Sequence, residues 1–193
     1  MLELGADLCR PLVASTQDLS ILDSNQNSCM LLACQAGNNT MIPALIEANQ
    51  DLNASVPCEL LPGRRSKSGA RPPLLVAAAT RKGLLRTIQT LLDNGADPQT
   101  EDTFRMDLIH YASWEGNENI LNYMLSADIG IDLESKGCDY SVGGSCTLIT
   151  TVLHSAAARG SPLSLKRLLD EIGAPAVNAC AASGETPLHL AAA

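Results

Sequence analysis

The string Thr186-Pro187-Leu188-His189, followed at once by Leu190-Ala191-Ala192, constrains this chain most, because degenerate copies of it recur upstream. Asp107-Leu108-Ile109-His110-Tyr111-Ala112 runs on to Gly116, and Thr151-Val152-Leu153-His154-Ser155-Ala156 to Gly160. Ser28-Cys29-Met30-Leu31-Leu32-Ala33 runs on to Gly37, and a looser copy from Leu74 ends at Gly83. A second string follows each glycine: Leu45-Ile46 before Asn49, Leu91-Leu92 before Gly95-Ala96-Asp97, Met124-Leu125 before Asp128, and Leu168-Leu169 before Gly173. Ser, Thr and Asp cap helix N-termini, and Pro fits the first turn, where a missing N–H costs nothing. Glycine suits the left-handed residue that ends a helix. Ile88, Leu91 and Leu92 recur at helical spacing. Each copy therefore predicts two short antiparallel helices, and stacking of copies supplies the buried surface that no single copy has.

A unit near 33 residues with a T-P-L-H-x-A core and an L-L-x-x-G-A-D tail resembles the ankyrin repeat family. That resemblance implies an all-α solenoid of stacked helix-turn-helix units joined by β-hairpin-like loops. It also implies a module that binds other proteins and catalyses nothing. In that family the His of the core string hydrogen-bonds backbone and Thr groups that tie repeats together. His110, His154 and His189 all occupy that position, as Thr186 and Pro187 occupy the cap and first turn, so no histidine is left for a metal or a base. The reading is one array over 1–193: a partial unit 1–27, repeats at about 28–71, 72–106, 107–150 and 151–185, and a partial unit 186–193. Cys29 and Leu31 depart from the core string of the first full repeat, and either Pro72-Pro73 or Leu74 opens the second. The chain opens near the end of one second helix and stops within a first helix, the pattern expected of a piece of a longer protein.

From glycine to glycine the intervals are 46 (Gly37 to Gly83), 33 (Gly83 to Gly116) and 44 (Gly116 to Gly160). The helix-to-helix part is nearly constant, so the surplus falls in loops between repeats, near 10–27, 55–71 and 135–150. Gly, Pro and Ser fill the second of these, and the β-branched run Cys146 to Val152 is placed to extend a hairpin finger. Such insertions are either drift in solvated loops or part of a binding face.

Composition narrows the function. The chain is 46% apolar and only 3% aromatic, which suits an Ala/Leu-rich helical stack. A net charge of −8 speaks against nucleic acid, and no apolar run approaches a membrane span. Seven cysteines, an odd number with no C-x-x-C, indicate a reducing compartment, cytoplasm or nucleus. Cys29 and Cys34 read as small buried residues, and Cys138 and Cys146 share a loop, where they either pair or stay free. Seven of the 13 Lys and Arg fall between 60 and 92, among them Arg64, Arg65, Arg71, Arg81, Lys82 and Arg86, with no Asp or Glu beside them. No nucleophile elbow, phosphate loop or metal-ligand spacing occurs, so no catalytic residue, cofactor or metal is expected.

In the ankyrin family, partners meet the loop tips and the end of the first helix. Mapped onto this chain, those positions hold Phe104 and Met106 on one tip, Trp114 and Glu115 at one helix end, and Arg81 and Lys82 at the preceding one. Arg64 and Arg65 lie on an inserted loop. The only Phe and the only Trp thus fall on one repeat, as display residues or as cover for the core. The partner expected is a protein or peptide with acidic flanks, met by a monomer without membrane insertion. Asn53, in a context resembling ankyrin asparagines that are hydroxylated, either braces its loop or is modified. Two other settings fit the same pattern: a regulatory or targeting segment of a larger enzyme, such as a kinase or ubiquitin ligase, and a cytosolic tether of a membrane protein.

Overall fold

Ser28 opens helix α1 (Cys29–Ala36), its hydroxyl accepting the Leu31 N–H at 3.2 Å. The cap therefore survives although this copy lacks the Thr and the His. Gly37 closes the helix at φ 66°, where its own N–H and that of Asn38 reach back to Cys34 O and Ala33 O. The chain, a computed structural model, is described over residues 10–16, 18–25, 27–54, 56–58, 69–80, 84–127, 129–139, 148–158 and 161–192. After α1 come α2 (Met41–Glu47), β1 (Val56–Cys58), β2 (Gly69–Arg71), α3 (Pro73–Ala78), α4 (Leu85–Asp93), α5 (Leu108–Glu115), α6 (Glu118–Ser126), β3 (Lys136–Asp139), β4 (Leu148–Thr151), α7 (Val152–Ala158), α8 (Pro162–Ile172), a 3₁₀ turn (Ala174–Asn178) and α9 (Pro187–Ala191).

Helices dominate, and they pack in two rows. In one row α1 meets α3, α3 meets α5, α5 meets α7, and α7 meets α9. In the other, α2 meets α4 and α6 meets α8, while each second helix packs on its own first helix. Small residues allow the close approach in the first row: Ala77, Ala78, Ala112, Ala156 and Ala157 are all buried. The second helices are amphipathic. In α4, Ile88 and Leu91 are fully buried and Arg86 faces solvent. One continuous core joins Leu45, Leu75, Ile88, Ile109, Ile120, Leu153 and Leu168. Burying each such side chain contributes about 1.5–3 kcal/mol.

Two strand pairs rise between the helix pairs. β1 runs antiparallel to β2 with Val56 opposite Arg71, and β3 runs antiparallel to β4 with Lys136 opposite Thr151. The β-branched run thus becomes a strand at 148–151 that feeds directly into α7. Three expectations need correction. Residues 10–15 are helical, not loop, and bury Val13; burial of that apolar side chain against the core outweighed the breaker Pro11. Cys29 is exposed, with no described residue covering it, although Leu108 and Val152 at the same position of later copies are buried, whereas Cys34 is buried and its thiol is pushed up to about 12 by that burial. Arg71 is buried and belongs to no basic surface. Gly83, Gly160 and Cys146 lie outside the described residues, as does the side chain of Cys138.

Candidate partner-binding surface

Between α4 and α5 the chain makes a tip whose shape one carboxylate dictates. Asp102 Oδ1 accepts the N–H of Phe104 at 2.7 Å and that of Met106 at 2.9 Å. Asp102 Oδ2 accepts the Tyr111 O–H at 2.6 Å and lies 3.6 Å from Arg71 Nε. The Arg71 guanidinium carbon stands 4.9 Å from the centre of the Tyr111 ring. Between the two captured amides Arg105 takes φ 55°, a left-handed conformation that a side chain rarely adopts. Its exposed guanidinium pairs with Glu101 at 3.4 Å. Phe104 is half-buried against the core edge. Met106 is only 4% exposed and is no display residue, a correction to the sequence reading: its side chain joins the core with its sulfur over Gly137, where no Cβ stands in the way.

Trp114 and Glu115 close α5 and are half-buried, one helix away from the tip. Arg64, Arg65, Arg81 and Lys82 lie outside the described residues. The neighbouring tips are linked. Asn53 Oδ1 accepts the Asp97 N–H at 3.0 Å, and Gln99 Nε2 donates to Gly130 O at 2.7 Å. Asn53 is thus a brace whose side chain also meets solvent. Asp97, Glu101, Asp132 and Glu134 are exposed along these tips, so the described tips present carboxylates.

The three histidines differ in a way their shared position does not reveal. His154 Nδ1 accepts the Thr151 N–H at 3.2 Å, so the proton sits on Nε2, which donates to Glu185 O at 3.1 Å and ties that unit to the next. His189 Nδ1 likewise accepts the Thr186 N–H at 3.1 Å, although His189 is exposed. At the third site Asp107 stands where those copies have Thr. A carboxylate only accepts, so His110 Nδ1 must carry the proton it shares with Asp107 Oδ1 at 2.8 Å. His110 Nε2, fully buried, has no hydrogen-bond partner among the described residues. Asp107 also accepts the His110 N–H at 3.1 Å and the Ser135 O–H at 2.7 Å. Burial would push the Asp107 carboxyl up, but the His110 and Ser135 hydrogen bonds and the His110 charge together hold it below the ordinary aspartate value. This Ser–Asp–His cluster is no hydrolytic triad, since the hydroxyl bonds the carboxylate and not the imidazole.

Arg71, Asp102, Tyr111 and Ser135 were missed as site-forming residues. Spacing held a partial signal for Asp102, since an Asp ahead of a tip commonly captures amides two and four residues on. Nothing in the sequence pairs Arg71 with Asp102 or Ser135 with Asp107. Among the described residues no three His, Cys, Asp or Glu are grouped to hold a metal ion, and no helix is long and apolar enough to cross a membrane.

With this geometry in view, the chain is similar to NF-kappa-B inhibitor delta of Mus musculus, with 29% identity over 135 residues. The match takes in 63% of this chain and 39% of the relative, so the chain spans well under half of that protein's length. No model of a protein family matches the chain.

Proposed function

We propose that this chain is a non-catalytic protein-binding module, an ankyrin-type solenoid that meets a protein partner with its hairpin tips and the ends of its first helices. The observation that carries this reading is the tip at 102–106, where a buried carboxylate holds a half-exposed Phe104 and an exposed Arg105 in a fixed, locally strained shape. Chains fix strained loops where a shape is used. The two rows of helices, the repeated His boxes and the similarity to a protein named as an inhibitor of NF-kappa-B support the same reading. A partner of that kind would be a protein, regulated by being bound.

The basic stretch from 60 to 92 sets the charge of the partner segment in this proposal. The described tips carry carboxylates, so in this proposal the basic stretch takes the acidic flanks of the partner while the apolar contact falls on Phe104 and Trp114. The experiment is affinity capture from a cell lysate with the wild-type chain and a Phe104→Ala/Trp114→Ala variant of equal helicity. A partner lost only with the variant places the contact on this surface. A partner held equally by both removes Phe104 and Trp114 from the account.

A further inference from the structure

Resting on the reading of 102–106 as a binding tip, we infer that Arg71 is a positioning residue for that tip, held in place by the β1–β2 strand pair. Arg71 ends β2, on the strand pair that closes the insertion, and is 3% exposed. Its guanidinium reaches out of its own unit to the Asp102 carboxylate at 3.6 Å and the Tyr111 ring at 4.9 Å. The Asp102 side chain is fully buried. A buried carboxylate needs both hydrogen bonds and a compensating charge, and among the described residues Arg71 is its ion-pair partner. The same carboxylate holds the Phe104 and Met106 amides and leaves Arg105 between them at φ 55°. Three elements therefore converge on one pair of oxygens: β2 supplies charge, α5 supplies a phenol, and the tip supplies two amides. Removing the charge releases the carboxylate toward water, and the tip loses the acceptor that shapes it. Two backbone bonds, Arg105 N to Asp102 O and Asp102 N to Met106 O, both 3.0 Å, are what would hold the tip without Arg71. They make the claim refutable.

Amide hydrogen exchange followed by NMR on the full chain tests it. The variants are Arg71→Met, Arg71→Lys, Tyr111→Phe and Arg71→Met in an Asp102→Asn background. Arg71→Met is expected to speed exchange of the Phe104 and Met106 amides roughly tenfold or more relative to the amides of α7, the effect of weakening a charge-assisted hydrogen bond. Arg71→Lys recovers part of the protection, and Arg71→Met adds nothing once Asp102 is neutral. If Arg71→Met does not fold, Arg71→Lys and Tyr111→Phe carry the test, each speeding the same two amides. Unchanged protection at 104 and 106 overturns the inference, because the backbone bonds then suffice. A uniform acceleration of all amides also overturns it, because Arg71 is then ordinary core. Exchange reports the tip and not its partner, so a positioned tip that captures nothing would refute the binding reading and leave this inference standing.

Discussion

Replacing Asp107 by Ala removes three hydrogen bonds at once, and the structure says which of them matter. The carboxylate caps α5 by accepting the His110 N–H, fixes the His110 ring through Nδ1, and takes the Ser135 hydroxyl. Losing an N-cap costs about 1 kcal/mol. The His110 ring is fully buried, so its Nδ1–H is left without a partner, at a cost of about 2 kcal/mol. Ser135 is half-buried and turns to water, adding little. The sum is about 3 kcal/mol, a fall in Tm of roughly 6–12 °C for a chain of this length. Urea denaturation of both chains, followed by circular dichroism with the slopes compared, measures it. The acid limb gives a second check. In the folded chain the Asp107 carboxyl titrates below its ordinary value of 3.8, so its contribution is complete above that pH and is lost as pH falls through the lower folded value. The gap between wild type and Asp107→Ala should hold steady from roughly pH 6 to 5 and close on acidification below about 4. A loss under about 1 kcal/mol at neutral pH would mean that water replaces all three bonds, and the buried-network account would be wrong.

Other perturbations have outcomes as definite. Gly37→Ala is expected to cost about 1–2 kcal/mol and more than Gly116→Ala in the same denaturation assay: both glycines sit near φ 66–67°, but a Cβ at Gly37 meets Leu84 Cδ2 at 2.8 Å, against 3.4 Å to Ser161 at Gly116. His154→Ala should cost about 2–4 kcal/mol, since it cuts the tie to Glu185 and empties a fully buried site. Asn53→Ala, which removes an exposed brace, should cost under about 1 kcal/mol, and intact mass of native material shows whether Asn53 carries an added oxygen. Raising salt should slow association with a captured partner more than it speeds dissociation, measured by surface plasmon resonance; a salt-independent on-rate would remove the basic stretch from the account.

Local chemistry made the helices legible. Ser28, Asp107, Thr186 and the glycines at 37 and 116 act through bonds within a few residues, so type and spacing suffice to place them. Residues 10–15 were misjudged because an insertion was equated with a loop, while burial of Val13 depends on a surface elsewhere in the chain. At the candidate site the tip was found but its inner and outer faces were not. Met106 and Phe104 differ by two positions and give their N–H groups to the same Asp102 oxygen, yet only Met106 finds a place in the core, beside a glycine that lies 31 residues on. Arg71 looked like one more cation in a basic window because its partners lie on other elements, 31 and 40 residues on. Asp107 caps its helix as Thr would, yet an acceptor without a donor reverses the proton on His110.

Hydrogen exchange of the chain with and without its captured partner tests the central claim most directly. The account predicts new protection at 102–106 and at the end of α5 near Trp114, with α6 and α8 unchanged. Protection confined to the second helices, around Leu121 and Leu163, would contradict it and move the binding face to the opposite side of the stack.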